Sequence, residues 1–182
     1  MTQHTFHLKV TNEIELRLIE QQHTQELFDL IEANRKHLRQ WLPWLDRIRS
    51  LADELAFVES SLRQFVENKG FHAGVWFKGR LCGTIGHHGF DLLNRSTLLG
   101  YWLDASHQGK GIMTASCRAV VNHAFTELGL HRVVIRCATE NRRSRAIPEH
   151  LRFSLEGVSR QAEWLYDHFV DLAVYGLLRT DQ

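Results

Sequence analysis

The residues best placed to do chemistry lie in Gly100-Tyr-Trp-Leu-Asp-Ala-Ser-His-Gln-Gly-Lys-Gly-Ile-Met-Thr114. An apolar run from Thr97 to Leu103 ends at Asp104. A short polar loop then carries Gly109 and Gly111, and Met113 to Leu128 has helical spacing. A strand, a glycine loop and a helix N-terminus together can hold an anion. The first amides of a helix have no intrahelical acceptor, and the helix dipole favours negative charge there. Glycine lets a phosphate approach the main chain with no Cβ in the way. The pattern predicts main-chain capture of a phosphorylated cofactor; the plain alternative is an ordinary tight strand-to-helix turn. Two other nucleotide motifs are excluded. No Gly-x-x-x-x-Gly-Lys-Ser/Thr is present, and Thr114 stands where Gly-x-Gly-x-x-Gly needs its third glycine.

The run Gln108-x-x-Gly111-x-Met113 resembles the Gln/Arg-x-x-Gly-x-Gly/Ala signature of the GCN5-related N-acetyltransferases (GNAT), whose loop wraps the pyrophosphate of acetyl-CoA. The resemblance implies acetyl-CoA as co-substrate, contacted by Trp102, Leu103, Gln108, Gly109, Lys110, Gly111, Ile112 and Met113. Met113 replaces a small residue, but the group that binds there is its backbone amide. Downstream, Asn141, Ser144, Phe153 and Gly157 match a second family pattern, with Arg152 in place of a glycine. By the same resemblance, Asn141 hydrogen-bonds the pantetheine and Ser144 stands near the cofactor sulfur; helix capping is the alternative for both. A helix end at Arg152 calls for a left-handed residue, and Pro148 fits a helix only near its start. Arg142, Arg143 and Arg145 form a basic patch, read either as a solvated face or as a contact for the 3′-phosphate. Cys137 is expected near the pantetheine tip as a small buried hydrophobe.

Acetyl transfer to an amine needs a neutral amine, an oxyanion donor, a proton for the departing thiolate and alignment of the reactants. An α-amine titrates near about 8 and is already partly neutral at pH 7, so its base need not be strong; lysine, at about 10.4, needs far more help. Glu163, in Gln161-Ala-Glu-Trp-Leu165, is the candidate base, acting directly or through water; the alternative is a solvated strand-end carboxylate. Gly-Tyr-Trp-Leu-Asp, Gln-Gly-x-Gly-Ile-Met and Gln-Ala-Glu together are similar to the Rim-type branch, which acetylates ribosomal-protein N-termini. That likeness implies Glu163 as base, Ser144 as acid and a serine-type acceptor attacking directly in a ternary complex. It also implies a homodimer. Leu103 is the candidate oxyanion donor through its N–H. Of Trp41 and Trp44, either side of Pro43, one is expected in the core and the other against the acceptor. Two rivals stand beside this reading. One is an acetyltransferase for a polyamine, aminoglycoside or peptide antibiotic; the other is a non-catalytic CoA-binding sensor.

These residues need a frame to position them. Glu13 to Glu20 alternates as a half-buried strand, Gln21 to Arg39 has helical spacing, and Ser50 caps a second helix to about Asn68 that Gly70 ends. Phe71 to Phe77 and Arg80 to Gly89 flank the hairpin signal Lys78-Gly79, and Asp91 to Arg95 turns into the strand ending at Leu103. After the glycine loop and its helix come a strand from His131 to Ala138, a helix from Arg143 to Leu151, and strands Phe153 to Leu165 and Phe169 to Leu178. The strand–helix–strand unit from Thr97 to Ala138 calls for a parallel pair. The expected fold is α/β and resembles that of the GNAT family. Its sheet is mixed, mostly antiparallel and seven-stranded, flanked by about four helices and splayed at the central parallel pair. One domain is expected over residues 1–182.

Composition narrows the partners. With 22 basic and 21 acidic residues the chain advertises neither a nucleic acid nor a membrane surface. No long apolar run predicts a membrane span, and the first residues do not read as a signal peptide. Three widely spaced cysteines point to a reducing cytoplasm rather than a disulfide frame or zinc site. No metal is expected: His87 and His88, adjacent on a strand, point to opposite faces.

Overall fold

The structure, a computed structural model, describes residues 6–181 of the 182-residue chain. Its eight strands form one open sheet in the order β1-β2-β3-β4-β5-β6-β8-β7, one strand more than the seven expected. The addition is β1 (His7–Lys9), antiparallel to β2 (Ile14–Leu18). Three residues are too few to display a two-residue alternation, so no periodic signal marks β1.

α1 (Thr24–Leu38) and α2 (Leu51–Val66) follow. The Ser50 side chain accepts from the Asp53 amide, as its position before the helix requires. The other end of α2 differs from expectation. Asn68, at φ 58°, takes the left-handed cap, and Gly70 comes after it. The amides of Asn68 and Lys69 reach back to the carbonyls of Phe65 and Gln64 at 3.1 and 2.8 Å, a Schellman closure. β3 (Phe71–Phe77) and β4 (Arg80–Asp91) are joined by Lys78 and Gly79, both at positive φ, which gives the turn the twist a two-residue hairpin needs.

β5 (Ser96–Leu103), α3 (Ile112–Thr126) and β6 (Arg132–Ala138) form the parallel crossover; α4 (Arg142–His150), β7 (Ser154–Leu165) and β8 (His168–Leu178) complete the chain. β5 and β6 are parallel, and the other strand pairs are antiparallel. The parallel pairing runs from Ser96–Arg132 to Leu98–Val134 and stops. Leu99–Leu103 and Ile135–Ala138 continue without pairing, so a gap opens in the middle of the sheet. α3 and α4 cover one face, over a core that includes Leu99, Val120, Phe125, Ile135 and Tyr175. α1 and α2 cover β2 to β5 on the other face, over Ile19, Leu27, Ile31, Val58, Trp76 and Trp102.

Glu54 lies on the inner side of α2, 1% exposed, and neither carboxylate oxygen has a partner among the described residues. Burial pushes its carboxyl up to about 7. A raised folded-state value means that the fold holds the proton more tightly than the unfolded chain. This stabilisation is complete below the ordinary carboxylate pKa and is lost as pH rises through about 7. Glu54→Gln should therefore gain roughly 3 kcal/mol on wild type between pH 4 and pH 8, read from urea unfolding. His72 and His87, pushed down to about 4 and about 3 by burial, affect both proteins alike and cancel. A stability difference that does not change with pH would contradict the assignment.

Candidate active site

β5 delivers the chain to the glycine loop. The Asp104 amide donates to the Cys82 carbonyl of β4 at 2.8 Å, so alternation along the strand turns the Leu103 N–H the other way, toward the gap. Gly109 and Gly111 both sit at φ 73°, and a Cβ at either would meet no protein atom within 4 Å. Glycine is required there by the left-handed backbone, and the outer face of the loop is open. Gly111 is the N-cap of α3 and has no side-chain cap; the first helical bond runs from the Ala115 amide to the Gly111 carbonyl at 3.0 Å. The amides of Gly109, Lys110, Gly111, Ile112, Met113 and Thr114 find no acceptor among the described residues. The Ile112 and Met113 side chains are buried in the α3 core, so the bulk of Met113 lies away from the loop face. Side chains anchor the loop on both flanks. Gln108 Nε2 lies 2.9 Å from His37 Nε2 on α1, and Gln108 Oε1 accepts from Arg143 on α4. Asn34 of α1 accepts from the Ala105 amide at 3.1 Å.

Across the gap, Pro148 is seventh in α4 rather than near its start. It has no N–H, so the Ser144 carbonyl four residues earlier loses its helical donor. The Tyr101 hydroxyl of β5 donates to that carbonyl at 3.0 Å, closing across the gap. Burial raises the Tyr101 phenol well above its ordinary value and keeps it a donor. Asn141 caps α4, its Oδ1 accepting from the Ser144 amide at 3.1 Å, which leaves its Nδ2 uncommitted among the described residues. The Ser144 hydroxyl lies against Cys137, a buried thiol that burial pushes up to about 11, with Ser144 pulling the other way. Arg152 holds φ 62°, the left-handed conformation that a helix end at this position calls for. The basic patch is divided. Arg145 donates to the Tyr175 hydroxyl and the Thr139 carbonyl, both at 2.9 Å, and so pins α4 to the sheet rather than waiting for a phosphate.

Glu163 lies near the end of β7, the strand at the sheet edge. β7 pairs Ser159 with Leu172 and Glu163 with Val170, so it carries two extra residues between them. Gln161 sits there at φ 49°, its amide held by Asp171 Oδ1 at 2.7 Å. This bulge turns the end of the hairpin. Glu163 is half-buried, and burial raises its carboxyl above the usual range. At the tip, the Tyr166 hydroxyl donates to the Leu42 carbonyl, and Arg39 lies 3.8 Å from the Tyr166 ring centroid. The hairpin therefore arches over to the α1–α2 link. Trp41 and Trp44 on that link are half-buried; Trp44 packs into the α1–α2 core, while Trp41 joins neither core. Trp102 is buried in the α1–α2 core and Leu103 in the other. The structure thus brings Leu103, Ser144 and Asn141 to the gap, with the loop beside it and the Glu163 arch on the α1–α2 side. Among the described residues no group of His, Cys, Asp or Glu is placed to hold a metal. Sequence reading gave no role to Tyr101, Gln161 or Tyr166, whose partners lie far along the chain.

Residues 13–154 match the family described as acetyltransferase (GNAT) domain. The chain belongs to the GNAT acetyltransferase family. YdaF of Bacillus subtilis (strain 168), classed by name with ribosomal N-acetyltransferases, is 37% identical over 178 residues, 97% of each chain. The ribosomal-protein-serine acetyltransferase of Escherichia coli (strain K12) is 30% identical over 175 residues, 96% of this chain and 98% of that one. Among solved structures, RimL, a ribosomal L7/L12 alpha-N-protein acetyltransferase in complex with coenzyme A, superposes with a TM-score of 0.93 at 27% identity. The match covers 95% of this chain and 98% of RimL. The open mixed sheet is the one these GNAT neighbours share.

The Tyr101–Ser144 bond gives a direct test of how the gap is held. Tyr101→Phe leaves the Ser144 carbonyl with neither a helical nor a side-chain donor and should cost about 1–2 kcal/mol, read from denaturant unfolding. An unchanged midpoint would show that the crossing bond contributes nothing.

Proposed function

We propose that this chain transfers acetyl from acetyl-CoA to the N-terminal α-amine of a protein, a ribosomal protein with an N-terminal serine, by direct attack in a ternary complex. The whole chain serves as one acetyltransferase domain. The observation that carries the reading is the row of acceptor-free amides, Gly109 to Thr114, at the N-terminus of α3 beside the gap. Such a row suits a pyrophosphate, since each amide donates and the helix dipole adds to it. The relatives named above as ribosomal-protein acetyltransferases, matched over nearly their full length, support the acceptor class.

In this mechanism the amine nitrogen attacks the thioester carbonyl. The Leu103 N–H faces the carbonyl oxygen as it gains charge. Glu163 takes the amine proton; burial raises its carboxyl and makes it a better base than an exposed glutamate. As the C–S bond breaks, Ser144 gives a proton to the thiolate and regains one from water, while Glu163 returns the amine proton to solvent, so the enzyme ends as it began. Asn141 Nδ2 serves the pantetheine, Trp102 and Gln108 flank the cofactor, and Lys110, exposed on the loop, adds a positive charge. Trp41, left out of both cores, lines the acceptor side with Trp44 behind it. The same reading places the enzyme in the cytoplasm as a homodimer, which light scattering at micromolar concentration checks. No helix among the described residues is long and apolar enough to cross a membrane.

Free-thiol release, run across peptides with different N-termini beside polyamines and aminoglycosides, tests the acceptor. Turnover with serine-first peptides is expected. Turnover with the small amines alone would move the reading to that class, and no turnover with any acceptor would leave a CoA-binding sensor. Glu163→Gln should lower kcat by about 10²–10⁴-fold while the KM for acetyl-CoA is kept. Full activity in that variant would remove the base assignment and leave alignment as the main catalytic device.

A further inference from the structure

On the α1–α2 side of the sheet, beside the closed end of the gap, lies a cavity of about 370 Å³ lined by His88, Asp91, Leu98, Val134 and Arg136 among others. The side assignment follows from alternation. Trp102 belongs to the α1–α2 core, so Gly100 and Leu98 face the same way; Val133, Ile135 and Cys137 belong to the opposite core, so Val134 and Arg136 face this one. The His88 ring lies over Gly100, where a Cβ would come within 2.1 Å of its Nε2. Glycine at that position makes room for the ring. Arg136 is exposed, and its guanidinium makes no hydrogen bond or ion pair among the described residues. The acid on the same wall does not pair with it: Asp91 is committed to the amide and Nδ2 of Asn94 at 2.9 and 2.7 Å.

We infer that this cavity receives the residues behind the acetylated amine, and that Arg136 selects an acidic side chain among them. The inference rests on the reading of the chain as a peptide N-acetyltransferase. The Tyr166–Leu42 arch closes one flank, and α1 and α2 pack over β2 to β4 and the Trp102 end of β5, which leaves Leu98 of β5 and the face of β6, beside the His88 ring, as the path for an extended chain. The register sets which acceptor residue is read. Continuing the Leu98–Val134 pair by two residues brings Arg136 level with Gly100, three residues short of Leu103. At about 3.3 Å per residue, that is roughly 10 Å from the Leu103 amide. An extended peptide spans the same distance in about three residues, so the third or fourth acceptor residue faces the guanidinium. A carboxylate there would meet a planar, always-charged donor fork with no competing partner.

The test uses full-length enzyme, acetyl-CoA and serine-first hexapeptides that carry Glu, Gln or Lys at positions two to six in turn. Wild type is expected to favour Glu over Gln at position three or four by about threefold to tenfold in kcat/KM, an advantage that shrinks with added salt. In Arg136→Ala the Glu/Gln ratio should fall to about one, and in Arg136→Glu the preference should pass to Lys at the same position. Acetylation of all peptides with no charge preference at positions three and four, or a preference that survives in Arg136→Ala, would overturn the inference and leave the acetyltransferase reading standing. If no peptide is acetylated by wild type, the peptide-acceptor reading fails and the inference falls with it. Folding of each variant is checked by its thermal stabilisation with acetyl-CoA.

Discussion

Two parallel strands that stop pairing halfway along the sheet expose backbone groups that a continuous ladder would satisfy. Beyond Leu98 and Val134, the edges of β5 and β6 that face each other carry N–H and C=O groups with no strand to receive them. A gap of this kind persists only because each strand is held from its other side, β5 by β4 and β6 by β8, in long antiparallel registers. The cost of the unpaired edges is set against what they make available: the Leu103 N–H, the Tyr101 hydroxyl and the N-terminus of α4 all meet at one opening. Everything catalytic in the proposed mechanism depends on that opening keeping its width.

The width is held by a substitution of one hydrogen bond for another. Pro148 removes a bond from inside α4, and Tyr101 supplies the missing donor from β5. Gln108, bridging His37 and Arg143, performs a similar service at the mouth, tying the loop to α1 and α4. Burial also arranges the protons. The thiol of Cys137 and the phenol of Tyr101 stay protonated, while burial alone raises the Glu163 carboxyl above its ordinary value. The gap thus holds neutral donors, and the carboxylate proposed as the base sits on a separate arm.

Features written in adjacent residues were legible from the sequence. Lys78-Gly79 specified its hairpin, Ser50 its helix start, and Gly109 and Gly111 the loop, because each acts through its own backbone torsions. The strand–helix–strand crossover marked the parallel pair. Three of the misses share one cause: the residue that decides lies along the chain from the one it acts on. Pro148 looked misplaced until Tyr101 came into view, Arg145 looked free until Tyr175 did, and the left-handed Gln161 is stabilised by Asp171 on the next strand. Asn68 took the cap expected of Gly70 because asparagine tolerates the left-handed region and stands one residue after the C-cap Glu67. β1 was silent because three residues carry no period.

Capture of the cofactor by main-chain amides is the claim on which the functional reading rests, and it can be observed one amide at a time. Uniformly 15N-labelled protein titrated with acetyl-CoA should show its largest backbone amide shifts at Gly109 through Thr114, with the same amides protected from hydrogen exchange at saturation. Those resonances should return when the cofactor is replaced by pantetheine, which lacks the pyrophosphate. Binding of acetyl-CoA that shifts other residues and leaves Gly109 through Thr114 unmoved and unprotected would contradict it.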